Sequence, residues 1–119
     1  MSECKKDWLR VCTVSDLVMD SGVCALIHEN TQNEQQIALF CLGDDQNKQI
    51  YAVGNYDPIG KANVLYRGLL GSSCDEIFVS SPLYKQRYAL SSGRCLDDDS
   101  ISVPTFSARL NGHDVEVLI

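Results

Sequence analysis

The residues best suited to metal or redox chemistry in this sequence are its cysteines and histidines, which are Cys4, Cys12, Cys24, Cys41, Cys74, Cys95, His28 and His113. Thiolates and imidazoles bind zinc and iron–sulfur clusters, and such sites commonly include two ligands a few residues apart. No C-x-x-C or C-x-H pair occurs here. The histidines fall in predicted turns, with no nucleophile beside them. The sequence therefore predicts that most cysteines are buried, reduced side chains, and it predicts no metal site built from them.

Two segments carry a different pattern. The first, Y-A-V-G-N-Y-D-P-I, spans residues 51–59, and the second, S-P-L-Y-K-Q-R-Y-A-L-S-S-G-R-C, spans residues 81–95. Together they resemble the two cluster-binding loops of Rieske ferredoxins, in which a C-x-H element follows a strand and a C-P-x-H element precedes an aromatic strand. The resemblance implies that the two loops meet in space.

Other residues stand at the four positions where that family holds its cluster ligands. These are Asp57 and Ile59 in the first loop, and Ser81 and Tyr84 in the second. A Rieske centre needs two thiolates and two imidazoles, and none of the four residues supplies either. Asp57 is their one carboxylate, which is too few for a hard-cation cage. The sequence therefore predicts no metal here; Asp57 should end a strand before Pro58, and Tyr84 should pack or hydrogen-bond across the loops.

A closer resemblance extends over nearly the whole chain. The segments G-V-C-A-L (22–26), V-L-Y-R-G-L (64–69) and S-P-L-Y-K-Q-R-Y (81–88) are similar to those of the small subunits of NADH-dependent nitrite reductase, a family of Rieske-like domains without the cluster ligands. This resemblance implies a cofactor-free accessory subunit that supports a large catalytic subunit in reducing nitrite to ammonium. It also implies FAD, sirohaem and an iron–sulfur cluster on the large subunit, with no catalytic or cofactor-binding residue on this chain.

The resemblance further implies which surface contacts the large subunit. If the two loops face the partner, the interface includes Tyr56, Asp57, Tyr84, Lys85, Gln86 and Arg87. Tyrosine and arginine are frequent among the residues that dominate binding energy at interfaces. The alternative is that these are ordinary solvated loops.

Length and charge limit the remaining possibilities. A chain of 119 residues is expected to form one domain, residues 1–119, in which residues 1–7 are flexible. The 16 acidic and 10 basic residues give a net charge of −6, which disfavours nucleic acid as a partner. The sequence contains no signal-peptide pattern, no apolar run long enough for a membrane helix and no G-x-G-x-x-G cradle. We therefore expect a cytoplasmic protein with no membrane partner.

The elements that must position the two loops are short and rich in β-branched and aromatic residues, which indicates an all-β fold with one short helix. The resemblance makes this a Rieske-like antiparallel sandwich or barrel. Strands are predicted at residues 8–13, 23–27, 37–42, 50–53, 76–80, 87–90, 94–96, 107–110 and 114–118. A helical turn capped by Ser15 or Asp16 should follow the first strand, and apolar spacing predicts a helix over residues 63–70. Asn111-Gly112 predicts a type I′ turn that closes a C-terminal β-hairpin.

Two other functions remain open from the sequence. An independent Rieske-type electron-transfer ferredoxin would need a cluster held by some of the cysteines, of which only Cys74 and Cys95 are near the loops. A disulfide-bonded extracellular module is suggested by the even number of cysteines and opposed by the missing signal peptide. A visible absorption spectrum would identify the first, and a thiol titration under denaturing conditions would identify the second.

Overall fold

The computed structural model describes residues 7–44, 46–73 and 75–119, except for the side chain of residue 44. Within these ranges the chain forms twelve strands, and the strands pair with one another in antiparallel fashion. In chain order they are β1 (Trp8–Thr13), β2 (Ser21–Ile27), β3 (Gln35–Asp44), β4 (Asn47–Gly54), β5 (Tyr56–Asp57), β6 (Ala62–Asn63), β7 (Leu69–Ser73), β8 (Glu76–Ser80), β9 (Arg87–Ala89), β10 (Thr105–Phe106), β11 (Ala108–Asn111) and β12 (Asp114–Leu118).

The strands form three main sheets and a short ribbon. The order β1-β12-β11 forms what we call the terminal sheet, β10-β4-β3-β2 the central sheet, and β7-β8-β9 the loop sheet. The ribbon consists of β5 and β6. In the described part of the chain, no helix is long and apolar enough to cross a membrane.

Strand β3 contributes side chains to both cores that join the central sheet to the terminal and loop sheets. Side chains alternate between the two faces of a strand, so Ile37 packs on one face of the central sheet and Phe40 on the other. On the first face the core continues into Val117 of the terminal sheet, and on the second into Val79 of the loop sheet. Because both faces are buried, residues 37–42 are almost continuously apolar rather than alternating with polar residues.

The predicted all-β class and most of the predicted strands are confirmed. Strands β1, β8 and β12 have the predicted bounds, and the C-terminal hairpin is present. Its turn was predicted incorrectly, because the two central residues are Gly112 and His113 and only Gly112 has a positive φ, at 64°. A type I′ turn needs positive φ at both central residues, so this turn has the φ pattern of type II′.

The predicted helix over residues 63–70 is wrong. The segment contains a single 3-10 turn, Leu65–Arg67, and then enters β7. The backbone N–H groups of Leu65 and Tyr66 donate to the main-chain and side-chain oxygens of Asn55, at 3.1 and 2.8 Å, which fixes the start of the turn. The turn ends at Gly68, whose backbone is extended and leads into β7. A Cβ at Gly68 would collide with Ser80 O, which shows how closely this turn lies against the loop sheet. Tertiary contacts thus override the local apolar spacing.

Two smaller predictions also need correction. The turn after β1 is a 3-10 helix, Val14–Asp16, whose cap residue is Thr13 rather than Ser15 or Asp16. Asp16 serves instead as the acceptor for the Thr13 backbone N–H, at 3.0 Å. The predicted strand over residues 94–96 is absent, because Arg94 and Cys95 form only isolated bridges, to Ser102 and Tyr88, and the chain turns at the next residue.

The expected flexibility of residues 1–7 concerns a segment of which only Asp7 is described. The Asp7 backbone exchanges two hydrogen bonds of 3.0 Å with Ile119, so this residue extends the pairing of β1 with β12. The first and last described residues therefore lie side by side on the terminal sheet.

Candidate functional site

Two loops meet at one end of the loop sheet, as the resemblance implied. The first begins at Asp57, the last residue of β5, and the second begins at Ser81, directly after β8. Both residues are almost completely buried, at 0% and 1% exposure. Ser81 Oγ donates a hydrogen bond of 2.6 Å to Asp57 Oδ2. Two of the four positions that correspond to cluster ligands are therefore in direct contact.

The Asp57 carboxylate accepts further hydrogen bonds at its second oxygen, Oδ1. The donors are Gln86 Nε2 at 2.6 Å, the Ile59 backbone N–H at 2.9 Å and Tyr88 Oη at 3.1 Å. The described residues provide no Lys or Arg ion pair to Asp57. A buried charge without a counterion is tolerable only when hydrogen bonds replace its lost hydration. Neutral donors thus surround this carboxylate.

These hydrogen bonds decide the protonation state of Asp57. Burial is the largest single influence and acts to raise the pKa of the carboxyl group. Hydrogen bonds from Ser81, from the backbone of Gly60 and Ile59, and from Tyr88 act in the opposite direction, and the pKa lies below its ordinary value of 3.8. The group is therefore an anion at neutral pH.

Tyr88 and Gln86 contact each other as well as Asp57. Gln86 Nε2 is 3.0 Å from Tyr88 Oη, so the amide contacts both Asp57 and the phenol. Burial, and to a lesser extent the nearby Asp57 charge, raise the pKa of Tyr88 from 10.0 to about 12, although the Gln86 hydrogen bond acts to lower it. The phenol therefore remains protonated and serves as a donor. We call Asp57, Ser81, Gln86 and Tyr88 the loop network.

The backbone of the second loop is tightly turned. Ser81 N donates to Gln86 O at 2.9 Å, and Lys85 N donates to Ser81 O at 3.0 Å. Lys85 adopts a positive φ of 63°, which is uncommon for a residue with a side chain. In the first loop, a Cβ on Gly60 would collide with Leu83 Cδ1 and lie 2.8 Å from Asp57 Oδ2. The backbone of the first loop at Gly60 therefore lies directly against the Leu83 side chain of the second, in addition to the loop network.

The residues at these positions do not fit a [2Fe–2S] cluster. Asp57 and Ser81 hydrogen-bond to each other, Ile59 has no ligating atom, and the Tyr84 side chain is 68% exposed. Cysteine thiolates and histidine imidazoles, which a Rieske centre requires, are absent from all four positions. Within the described residues, no group of three or more His, Cys, Asp or Glu side chains is placed to hold a metal ion.

The structure also refines what each loop residue does. The predicted end of a strand at Asp57 is confirmed. Among the described residues Tyr84, whose side chain is 68% exposed, forms none of the observed side-chain hydrogen bonds across the loops, and Ser81 forms such a bond instead. Gln86 is 7% exposed and, like Asp57, faces inward, whereas Tyr56 is 48% exposed.

Arg87 is bound to Asp97 of the same chain. Its guanidinium forms a salt bridge of 2.8 Å with Asp97, and its backbone N–H donates to the same carboxylate at 2.8 Å. Hydrogen bonds from Arg87 hold the pKa of Asp97 below its ordinary value. Lys85 is exposed and, among the described residues, forms none of the observed ion pairs. The exposed side chains of the two loops therefore include Tyr56, Leu83, Tyr84 and Lys85.

The four cysteines in the described ranges are all free thiols. Cys41 and Cys95 are buried, as predicted, whereas Cys12 is half-buried and Cys24 is exposed. Cys24 lies in β2, the outer strand of the central sheet, and its Sγ is 3.4 Å from Gln36 Oε1. Cys4 and Cys74 lie outside the described residues.

Sequence reasoning missed the roles of Gly60, Gln86 and Tyr88 in the site. Gln86 was assigned to the exposed interface, and Tyr88 to the predicted strand over residues 87–90. Gln86 directly precedes β9 and Tyr88 lies within it; their spacing of two residues was the available signal, because residues i and i+2 of an extended segment share a face. An acidic residue that replaces a cysteine in a buried loop needs donors, and these two polar side chains point toward it.

Comparisons with known proteins agree with this architecture. Residues 7–118 match the Rieske-like [2Fe-2S] domain family, so the class of the protein is a Rieske-like β domain. The nitrite reductase (NADH) small subunit of Escherichia coli K12 is 36% identical over 110 residues, which cover 92% of this chain and 95% of the relative. The solution NMR structure of the nitrite reductase [NAD(P)H] small subunit from Erwinia carotovora aligns with a TM-score of 0.74 at 37% identity, covering 94% of this chain and 81% of that one.

The chain belongs to the family of nitrite reductase small subunits. A further relative has a different organisation. The nitrite reductase [NAD(P)H] large subunit of Klebsiella oxytoca is 38% identical over 112 residues, which cover 94% of this chain but only 11% of that protein. In that relative, a region similar to this chain is part of the same polypeptide as a much longer sequence.

Proposed function

We propose that this protein is a cofactor-free accessory subunit of cytoplasmic NADH-dependent nitrite reductase, which reduces nitrite to ammonium. It binds a large catalytic subunit through a protein interface and supplies no catalytic residue. FAD, sirohaem and an iron–sulfur cluster belong to the large subunit. This chain completes or stabilises that subunit, and its biological setting is nitrate assimilation.

The observation that carries the cofactor-free assignment is the loop network. Where a Rieske domain would bind its cluster, Ser81 donates directly to the buried Asp57 carboxylate, and Gln86 and Tyr88 saturate its other oxygen. These contacts satisfy the Asp57 carboxylate, the two hydroxyl groups and Gln86 Nε2 by hydrogen bonding within the loop network, and they leave only Gln86 Oε1 buried without a partner among the described residues. The loops therefore have a reason to stay closed that does not depend on a metal ion.

The partner assignment is supported by family membership and by the Klebsiella oxytoca protein. A region similar to this chain forms about a tenth of that protein, which is named as a large subunit. Joining two modules in one polypeptide makes their association intramolecular, and it is useful only if they work together. A separate chain of the same family is expected to reach the same arrangement by binding.

The docking surface includes the exposed residues of the two loops. Tyr56 and Tyr84 are 48% and 68% exposed, and Lys85 adds a positive charge beside Tyr84 in a chain whose net charge is −6. Arg87 is partly exposed at the edge of this surface. Asp57 and Gln86 contribute from within by holding the loops in shape. Large amphipathic side chains with an adjacent cation are typical of interface residues.

Two measurements on anaerobically purified protein test this proposal. Iron and acid-labile sulfide should be substoichiometric, and the protein should bind its purified large subunit in a pull-down. Stoichiometric iron and sulfide would instead support an electron-transfer ferredoxin whose cluster ligands lie outside the four loop positions. Failure to bind the large subunit would refute the accessory role.

A further inference from the structure

The loop sheet has an outer strand, β7, that no other strand covers within the described residues. The direction of its backbone groups follows from the pairing register. Leu90 N donates to Ile77 O at 2.9 Å, so the backbone groups of Ile77 face β9. The cross-strand partner of Ile77 in β7 is Ser72, which must therefore direct its N–H and C=O away from the sheet, as must Leu70 two residues earlier.

This edge lacks the usual protection against pairing with another chain. Its sequence, L-L-G-S-S, contains no charged residue and no proline, which are the residues that commonly block exposed edges. Leu69 is 75% exposed. A groove of about 520 Å³ lies alongside β7, lined by the apolar side chains of Leu42, Leu70 and Ile77, with Asp20 at the same groove.

We infer that β7 is a docking edge on which an extended segment of the large subunit adds as a further strand. This inference rests on the proposed function, because that function supplies the partner. The free N–H and C=O groups of Leu70 and Ser72 bond to the added strand. Side chains on one face of the added strand cover Leu69, and those on its other face enter the groove beside Leu70 and Ile77, because successive residues of a strand face opposite sides of a sheet.

The large subunit is the occupant favoured by position and charge. Leu69 is the cross-strand partner of Ser80, which directly precedes Ser81 at the start of the second loop. The edge therefore continues the docking surface formed by the two loops. A second copy of this chain would bring another net charge of −6 to an edge that already carries Asp20, so like charges would oppose pairing. A partner segment with a basic side chain next to Asp20 fits better.

Hydrogen–deuterium exchange on the full chain, alone and with the purified large subunit, tests this inference directly. In the isolated chain the outward amides of Leu70 and Ser72 should exchange rapidly. In the complex they should be protected at least about tenfold, because a backbone bond to the added strand must open before exchange. Outward amides of the terminal sheet serve as an internal reference and should not change.

A matched pair of substitutions supplies a second readout. Leu69→Lys places a charge on the exposed edge without disturbing a packed side chain, and we expect at least about a tenfold loss of affinity for the large subunit. Leu110→Lys makes the same change at an exposed leucine of β11 in the terminal sheet, where Leu110 is 37% exposed. We expect that control to bind like the wild type.

The outcomes separate this inference from the function on which it rests. If the wild type binds the large subunit while the β7 amides exchange unchanged and Leu69→Lys binds normally, the edge is not the docking site and the accessory role stands. If the wild type does not bind, the proposed function fails first. Protection of the same amides by self-association, without the large subunit, would show that a second copy occupies the edge and would overturn the inference.

Discussion

Ser81 Oγ donates a 2.6 Å hydrogen bond to Asp57 Oδ2, joining in a buried contact two residues that are 24 positions apart in the sequence. Both residues stand where the resemblance to Rieske ferredoxins places a cysteine. The contact links the first loop to the second by side chains alone. The closed shape of the loops should therefore depend on the Asp57 carboxylate and on the residues that contact it.

Removal of the carboxylate should destabilise the protein. Asp57→Ala leaves the hydroxyl groups of Ser81 and Tyr88 and the amide of Gln86 without their acceptor in a buried site. Each unsatisfied buried group costs about 1–3 kcal/mol, and because the costs are not additive we expect a total loss of about 3 kcal/mol in unfolding free energy. Urea denaturation measures this loss. The control Asp99→Ala, at a side chain that is 89% exposed, should change stability little, and equal losses in both variants would contradict the prediction.

Stability should fall on acidification because of the same carboxylate. The pKa of Asp57 in the folded protein is below 3.8, so the unfolded chain binds the proton more readily. In the unfolded chain the pKa of Asp57 is taken as the ordinary value of 3.8. The stabilisation is therefore fully present above pH 3.8 and is lost as the pH falls from there through the lower pKa of the folded protein. Asp57→Asn cannot titrate, so the difference in stability between wild type and this variant should shrink below about pH 4. If the difference in unfolding free energy between the two proteins, measured by urea denaturation, stays constant down to about pH 2.5, the role of Asp57 is disproved.

Tyr88 should ionise later than an ordinary tyrosine. Burial and the neighbouring Asp57 charge raise its pKa to about 12, so its phenolate should form only in strong alkali. The folded pKa is higher than the unfolded one, and the associated stabilisation is present below pH 10.0 and is lost as the pH rises toward about 12. The difference in phenolate absorbance between wild type and Tyr88→Phe isolates this step. A difference spectrum that titrates near pH 10.0 would show that the phenol is not enclosed as described.

A single added methyl group at Gly60 should strain the contact between the loops. A Cβ there would collide with Leu83 Cδ1 and lie 2.8 Å from Asp57 Oδ2. Leu83 is 46% exposed and can move aside, whereas Asp57 is held by Ser81. We expect Gly60→Ala to cost about 1–3 kcal/mol in unfolding free energy.

The double variant Gly60→Ala/Leu83→Ala identifies which neighbour is responsible. Truncation of Leu83 removes only the first collision, so most of the lost stability should remain if Asp57 is the rigid neighbour. Thermal or urea unfolding of both variants, beside Leu83→Ala alone, provides the comparison. Full recovery of stability in the double variant would assign the strain to Leu83.

Much of the fold could be predicted from the sequence because its signals are local. Strands β1, β8 and β12 have the predicted bounds, since β-branched and aromatic residues between turn signals are sufficient to locate a strand. The family could also be predicted from the sequence, because the loop motifs at residues 51–59 and 81–95 resemble those of the family in the residues around the ligand positions and in their spacing, although the ligand residues differ. The absence of cysteine and histidine from the four ligand positions is likewise a sequence fact.

The tertiary structure alone decided the chemistry of the loops. Gln86 and Asp57 are 29 positions apart, and their 2.6 Å contact exists only because β8 and β9 pair in one register and the first loop folds back on them. The same reason explains the error over residues 63–70, where Asn55 fixes a single turn and the pairing of Leu69 and Leu70 with β8 draws the following residues into a strand. Local sequence determines which segments can be strands, but a buried carboxylate acquires its donors only when distant segments are packed together.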